Sequence, residues 1–317
     1  VNDAATLAQR LRARDLDAAA AAVNLLESRT ESDRGAAMQL LAALSPAALG
    51  GEPPGLVAGL TGPPGVGKSS LLSRLCACWR ADGRSVAVLA VDPSSRRSGG
   101  SLLGDRARIE RRPGDTGLFI RSTAAGDRLG GLAANTRAAA AALAVAFDVV
   151  VIETVGVGQS ETDVADVADV VAVVVQPGSG DVLQFLKSGI MEIPDVLVVT
   201  KADLGRVAQR AEADLRAALS SLGTADTPVV SVSSVAPPRG VPELVAALDA
   251  RRAAINLADR RLIARRGAAL AELVAELGDR GLRALGGRRA ALRWLAEQDA
   301  GLDAASLART LQERALS

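Results

Sequence analysis

Residues 62–69 read GPPGVGKS, a full match to GxxxxGK[ST], set between the apolar run Leu56 to Thr61 and the helical stretch Leu71 to Arg80. No other segment restricts the fold as tightly. A buried strand, a glycine loop and a helix N-terminus in that order aim successive backbone N–H groups and the positive end of a helix dipole at one point, where a phosphate chain is held. The spacing assigns Lys68 to the β- and γ-phosphates and the Ser69 hydroxyl to Mg²⁺. The alternative, a Gly/Pro-rich turn that merely joins a strand to a helix, is disfavoured by the flanking pattern.

The loop belongs to a longer alternation. Between Gly55 and about Ala250, β-rich runs at 85–91, 117–121, 149–152, 170–175, 196–200 and 229–232 alternate with helical ones. This predicts an α/β fold, a doubly wound and mostly parallel sheet of the P-loop NTPase kind, with ligands at the carboxyl ends of the strands. Residues 1–54 read as an N-terminal helical hairpin and a Pro/Gly-rich linker (SPAALGGEPPG), and 251–317 as a helical tail broken at Gly278 to Gly281 and at Gly286-Gly287. The tail needs an apolar surface to cover, either its own domain or a second copy of the chain. The arginine pairs starting at 251, 260, 265 and 288 read as solvated helix faces.

Composition removes several chemistries. With 49% apolar residues and a net charge of +1, neither disorder nor bulk attraction to nucleic acid or anionic lipid is expected. No apolar run approaches the length of a membrane span, so a cytoplasmic protein is expected. The chain has no histidine, which removes Ser-His and Cys-His hydrolases. Its two cysteines, Cys76 and Cys78, point to different faces of one helix and read as core or near-core residues rather than metal ligands.

Three further segments carry chemistry. Glu153-Thr154-Val155-Gly156 ends a strand as an acid followed three places later by glycine, a layout in which the carboxylate meets the Mg²⁺ shell and the Gly156 N–H meets the γ-phosphate. Thr200-Lys201-Ala202-Asp203 follows a strand, and an aspartate there accepts two hydrogen bonds from guanine N1–H and its 2-amino group while the Lys201 stem lies over the base. That favours GTP over ATP, although the usual first residue is Asn. Ser233, Ser234 and Val235 follow the last strand and supply backbone contacts to the guanine oxygen. Asp92 and Asp105 bring two more carboxylates near the phosphates, as holders of Mg²⁺ waters or of the attacking water, or else as a turn cap and an ion pair. Gln176 to Asp181 (QPGSGD) reads from spacing alone as an ordinary loop.

With these motifs in hand the chain resembles the MeaB/ArgK family, the GTPases associated with methylmalonyl-CoA mutase. The similarity runs from about Leu7 to the C-terminal helices through LESR, GPPGVGKSS, VDPSSRRSGGSLLGDR, ETVGVGQSE, PGSGD and MEIPDVLVVTKADL. The resemblance implies a GTPase domain at 55–250, a C-terminal helical arm that mediates homodimerisation, and a chaperone role. The family binds an adenosylcobalamin-dependent acyl-CoA mutase, gates cofactor loading through GTP hydrolysis and protects the mutase from inactivation. It makes Gly62, Pro63, Pro64, Gly65, Val66, Gly67, Lys68, Ser69 and Ser70 the phosphate loop, and Ser69, Asp92, Asp105 and Glu153 the cluster about Mg²⁺. Asp203 becomes the guanine reader and Gln176 to Lys187 a nucleotide-responsive switch. The chain departs from the family pattern at Gly126-Asp127, Val182 and Phe185, on surfaces expected to meet the mutase. In Ras-like proteins a glutamine follows the glycine of the acid-and-glycine motif; here Val157 does and Gln159 comes two later, which predicts slow intrinsic hydrolysis that rises with the partner. The competing readings are an ATP-dependent kinase or transport ATPase, a metal-insertion GTPase, and an interaction protein that binds nucleotide without turnover.

Overall fold

The apolar runs form a seven-stranded sheet in the computed structural model, which describes residues 3–28, 30–92, 114–124, 134–154, 163–178 and 194–317, the side chains of Asp92 and Ala124 excepted. The strands are β1 (Leu56–Thr61), β2 (Val86–Asp92), β3 (Leu118–Ala124), β4 (Val149–Glu153), β5 (Val170–Val175), β6 (Val196–Val199) and β7 (Val229–Ser231). The described α-helices are α1 (Ala4–Arg12), α2 (Ala19–Glu27), α3 (Glu31–Ala43), α4 (Pro46–Leu49), α5 (Lys68–Ala81), α6 (Ala134–Ala146), α7 (Arg206–Ser221), α8 (Val241–Ala254), α9 (Leu257–Ala284), α10 (Arg288–Ala296) and α11 (Ala304–Leu316). Strand order is β3-β2-β4-β1-β5-β6-β7. Every ladder is parallel. Parallel strands are covered on both faces and therefore read as unbroken apolar runs, and β1, β5 and β6 are buried along their whole length.

By its internal packing the chain divides into two compact units, one of Leu56–Thr136 and Phe147–Ile255, the other of Val1–Gly55, Arg137–Ala146 and Asn256–Ser317. In the sheet unit, Leu71, Leu72, Leu75 and Trp79 of α5 and Leu244 and Leu248 of α8 share a core with Leu60, Val88, Val151, Val174 and Val198. Cys76 lies in that core and Cys78 at its edge. Burial, reinforced by the Glu153 charge, pushes the Cys76 thiol up to about 12, so it remains protonated and inert.

Three aspartates set where the central strands begin. Asp148, Asp169 and Asp195 each stand directly before a Val-rich strand, and each carboxylate accepts a backbone N–H at the start of a neighbouring segment: Ser85 at 2.8 Å, Val57 at 2.8 Å and Val171 at 2.9 Å. Asp169 and Asp195 are buried. At the other end of β1, Gly62 has φ +143°, and a Cβ there would stand 2.1 Å from the Val174 carbonyl oxygen. Only glycine lets the chain leave β1 this close to β5.

In the helical unit, Thr30 caps α3 by accepting the Asp33 N–H. The expected hairpin is divided further, because Arg14 takes φ 57° and the Asp15 carboxylate accepts from Asp17 N–H, separating α1 from α2. Leu40 and Leu44 are buried in α3 and its cap, whereas Met38 and Leu41 are only half-buried. Leu270 and Leu273 of α9 pack with Ala291 and Leu295 of α10 and Leu307 and Leu311 of α11. Gly278, at φ 56°, kinks α9 without ending it; the helix stops at the Gly286-Gly287 pair.

The arginines of α9 correct the solvated-face reading. Arg261 donates to the Pro53 and Gly55 carbonyls at 2.6 and 2.7 Å, Arg265 pairs with Glu52 at 2.8 Å, and Arg266 donates to the Ala296 carbonyl at 3.0 Å. Side-chain exposure of Arg261 and Arg265 is 11% and 14%. Carbonyls released by the Pro/Gly-rich stretch need donors, and guanidinium supplies several from one side chain.

Asp169→Ala is expected to lower the unfolding free energy by about 1–3 kcal/mol, because the buried Val57 N–H loses its acceptor. Urea denaturation measures this as a lower midpoint at unchanged slope. Asp226→Ala, at an exposed position, is the control and is expected to change stability by less than about 0.5 kcal/mol.

Candidate functional site

The carboxyl ends of β1, β4, β6 and β7 carry the predicted site residues. β1 leads into the glycine loop, and α5 begins at Lys68 immediately after Gly67, which has φ 97°. A cavity of about 310 Å³ opens here, lined by Pro64, Gly65, Gly67, Lys68, Ser69, Ser70, Ala90, Val91, Glu153 and Thr154. Val66 is fully buried beneath it.

Two contacts organise the cavity. Lys68 is 7% exposed, and its ammonium donates to the Gly62 carbonyl at 2.7 Å and the Pro63 carbonyl at 2.9 Å, so the loop folds around it. Ser69 donates its hydroxyl to Glu153 Oε1 at 2.8 Å. A serine at the start of α5 and a carboxylate at the end of β4, 84 positions apart in sequence, thus meet as the two motifs require. Asp92 ends β2, next to β4 in the sheet, but its side chain, together with Asp105 and Gly156, lies outside the described residues, as do Gly126-Asp127, Val157, Gln159, Val182 and Phe185. Among the described residues no group of three or more Cys, Asp or Glu side chains forms a metal cluster.

A second group of residues lies at the ends of β6 and β7. Ser233 is buried, and its hydroxyl donates to the exposed Asp203 carboxylate at 2.7 Å while accepting the Val235 N–H at 3.3 Å. The Ser233 bond, followed by Asp203's own backbone N–H and the Arg239 and Lys201 charges, holds the Asp203 carboxyl below the usual carboxylate range. The Lys201 ammonium donates to Gln176 Oε1, at the start of the QPGSGD loop.

The structure joins the two groups through residues that the sequence reading did not use. Thr200 stands where Asn is usual, and its buried hydroxyl donates toward the Val66 carbonyl of the glycine loop at 2.7 Å and the Val175 carbonyl at 3.0 Å. Arg74 of α5 donates to the Ser234 carbonyl at 3.1 Å. The Ser233 side chain, rather than only the backbone around it, belongs to the site. The signal for Thr200 was present in the substitution itself: a short side chain with a hydroxyl donor fits between a loop carbonyl and a strand-end carbonyl.

Comparison with known proteins then decides the family. Residues 19–283 match the family model described as methylmalonyl-CoA mutase-associated GTPase MeaB. The chain belongs to the MeaB family. A relative from Caulobacter vibrioides, named as a GTPase, is 46% identical over 237 residues, which is 73% of this chain and 72% of that one. The mouse mitochondrial methylmalonic aciduria type A homolog is 41% identical over 175 residues, 54% of this chain and 42% of the mouse protein. Among solved structures, that of an LAO/AO transport system kinase is 28% identical with a TM-score of 0.66, covering 93% of this chain and 96% of that one. This MeaB-family protein is a P-loop GTPase, and its reaction is the hydrolysis of GTP.

The sequence assigns Asp203 to guanine, and in that role its carboxylate must be ionised to accept from two donors. The lowered pKa keeps Asp203 ionised as pH falls through the usual carboxylate range, so guanine binding at this carboxylate is expected to persist there. In Ser233→Ala the largest cause of the lowering is gone, so GDP affinity is expected to begin falling at a higher pH than in the unsubstituted protein. Fluorescence titration of a labelled GDP across the acid range measures the displacement.

Proposed function

We propose that this protein is a GTP-driven chaperone of an adenosylcobalamin-dependent acyl-CoA mutase, with methylmalonyl-CoA mutase as the first choice of partner. The observation that carries the reading is the pairing of Ser69 with Glu153 beside Lys68 in a chain of the MeaB family. Asp203 and Ser233 at the neighbouring strand ends supply the base selectivity.

Phosphoryl transfer needs positioning and charge neutralisation more than covalent help. Lys68 and the backbone N–H groups of Gly65 to Ser70 hold the phosphates, and Thr200 keeps the loop in register with the guanine-reading segment through Val66. Ser69 and Glu153 fit Mg²⁺: both offer hard oxygen, they stand within a hydrogen bond of each other, and the cavity around them leaves room for the waters this ion retains. When bound, Mg²⁺ neutralises charge on the β- and γ-phosphate oxygens. Asp92 and Asp105 complete the carboxylate set of this proposal, and Gly156 contacts the γ-phosphate. Asp203 and Lys201 select guanine, with backbone of Ser233 to Val235 at its oxygen.

The helices of 251–317 form the dimerisation arm of this proposal, 1–54 the N-terminal extension and 55–250 the catalytic domain. The mutase name attached to the family and the mouse relative's name support the partner assignment.

The test is GTP hydrolysis by the purified protein alone and with methylmalonyl-CoA mutase, alongside size-exclusion co-elution. The expected result is slow turnover alone, a clear rise with the mutase and a stable complex, with Lys68→Ala losing at least about 100-fold in both conditions. A fast rate that no acyl-CoA mutase changes, with no complex, would overturn the chaperone role and leave the GTPase.

A further inference from the structure

The backbones of β1 and β4 must separate just beyond their last paired residues, because one turns into the glycine loop and the other continues past Glu153. Leu60 is opposite Glu153 in the ladder, and Thr154 N–H donates to the Leu60 carbonyl at 3.1 Å. One residue further on, Thr154 donates its hydroxyl to the Thr61 hydroxyl oxygen at 2.9 Å. Both side chains are buried, at 0% exposure for Thr61 and 1% for Thr154. Among the described residues this hydroxyl pair is the last cross-link between the two strands. It lies directly behind the Glu153 carboxylate that meets Ser69 and directly before Gly62, whose carbonyl receives Lys68.

We infer that Thr154, through Thr61, is a positioning residue for the Mg²⁺ shell: the hydroxyl pair fixes Glu153 relative to Ser69 where the two strands separate. The inference rests on the Mg²⁺ assignment above. Thr154 is part of the cavity lining, and its hydroxyl donates to Thr61. Its effect is carried by the backbone of residues 153–154 and 61–62, in the way that outer partners orient the groups that face a metal. A hydroxyl suits this place better than a methyl group because a directional bond links the two strands at a set distance.

The experiment follows release of fluorescently labelled GDP with and without Mg²⁺ in the unsubstituted protein, Thr154→Val, Thr154→Ser and the double variant Thr61→Val/Thr154→Val, together with thermal stability. Valine keeps the shape and removes the donor, leaving one buried hydroxyl unpaired; replacing both residues removes that orphan and restores stability. The expected result is that Mg²⁺ slows release about tenfold less in Thr154→Val than in the unsubstituted protein, each compared with its own release rate without Mg²⁺. Thr154→Ser regains the Mg²⁺ response, and the double variant regains stability but not the response. A Mg²⁺ response that returns with stability in the double variant, or that Thr154→Val leaves intact, overturns the inference and makes the pair purely structural. An unsubstituted protein indifferent to Mg²⁺ overturns the metal assignment and this inference with it.

Discussion

Lys68 donating to the carbonyls of Gly62 and Pro63 is the interaction around which the site is arranged. The ammonium of a lysine that is only 7% exposed requires several partners, and the carbonyls of the loop that carries it supply two. Wrapping the loop around the charge turns its N–H groups the other way, toward the cavity and the start of α5. The same wrap demands a glycine at 62, where the Val174 carbonyl of β5 leaves no room for a side chain. Burial of one charge therefore fixes the loop, its anion-facing donors and its closeness to β5 together.

Buried hydroxyls hold that loop to its surroundings on either side. On the β4 side, Thr61 and Thr154 bridge the parting strands and Ser69 meets Glu153. On the β6 side, Thr200 ties Val66 to the end of β5 and stands one residue from Lys201 and three from Asp203. The cavity at Lys68 and the segment at Asp203 thus share a mechanical frame, although their residues are far apart in sequence. At the opposite ends of the strands, Asp148, Asp169 and Asp195 secure the first N–H groups of neighbouring segments. Strands held at their beginnings deliver side chains reproducibly at their ends.

Much of this was legible in the chain. The Val-rich runs became strands close to their predicted limits because two-sided burial admits almost nothing but apolar residues, so the pattern is unbroken and easily read. The glycine loop was legible for the same reason, since its spacing serves one backbone geometry. What escaped were the connections between distant segments. Thr61, Thr154 and Ser233 are unremarkable residues until β1, β4 and β7 bring them to a partner, and Thr200 registered only as a departure from Asn. The arginines of α9 looked like a solvated face because helix periodicity carries no information about the linker carbonyls of Pro53 and Gly55 that they meet. The same blindness hid the strand-capping role of the three aspartates.

The central claim is that one nucleotide spans the cavity at Lys68 and the base-reading segment at Asp203. A crystal structure with GDP tests it most directly. The account predicts the Lys68 ammonium within hydrogen-bond distance of a phosphate oxygen, with the guanine N1–H and 2-amino group on the Asp203 carboxylate and the Thr200 contact to Val66 retained. GDP bound elsewhere, or bound with its base away from Asp203, would contradict it.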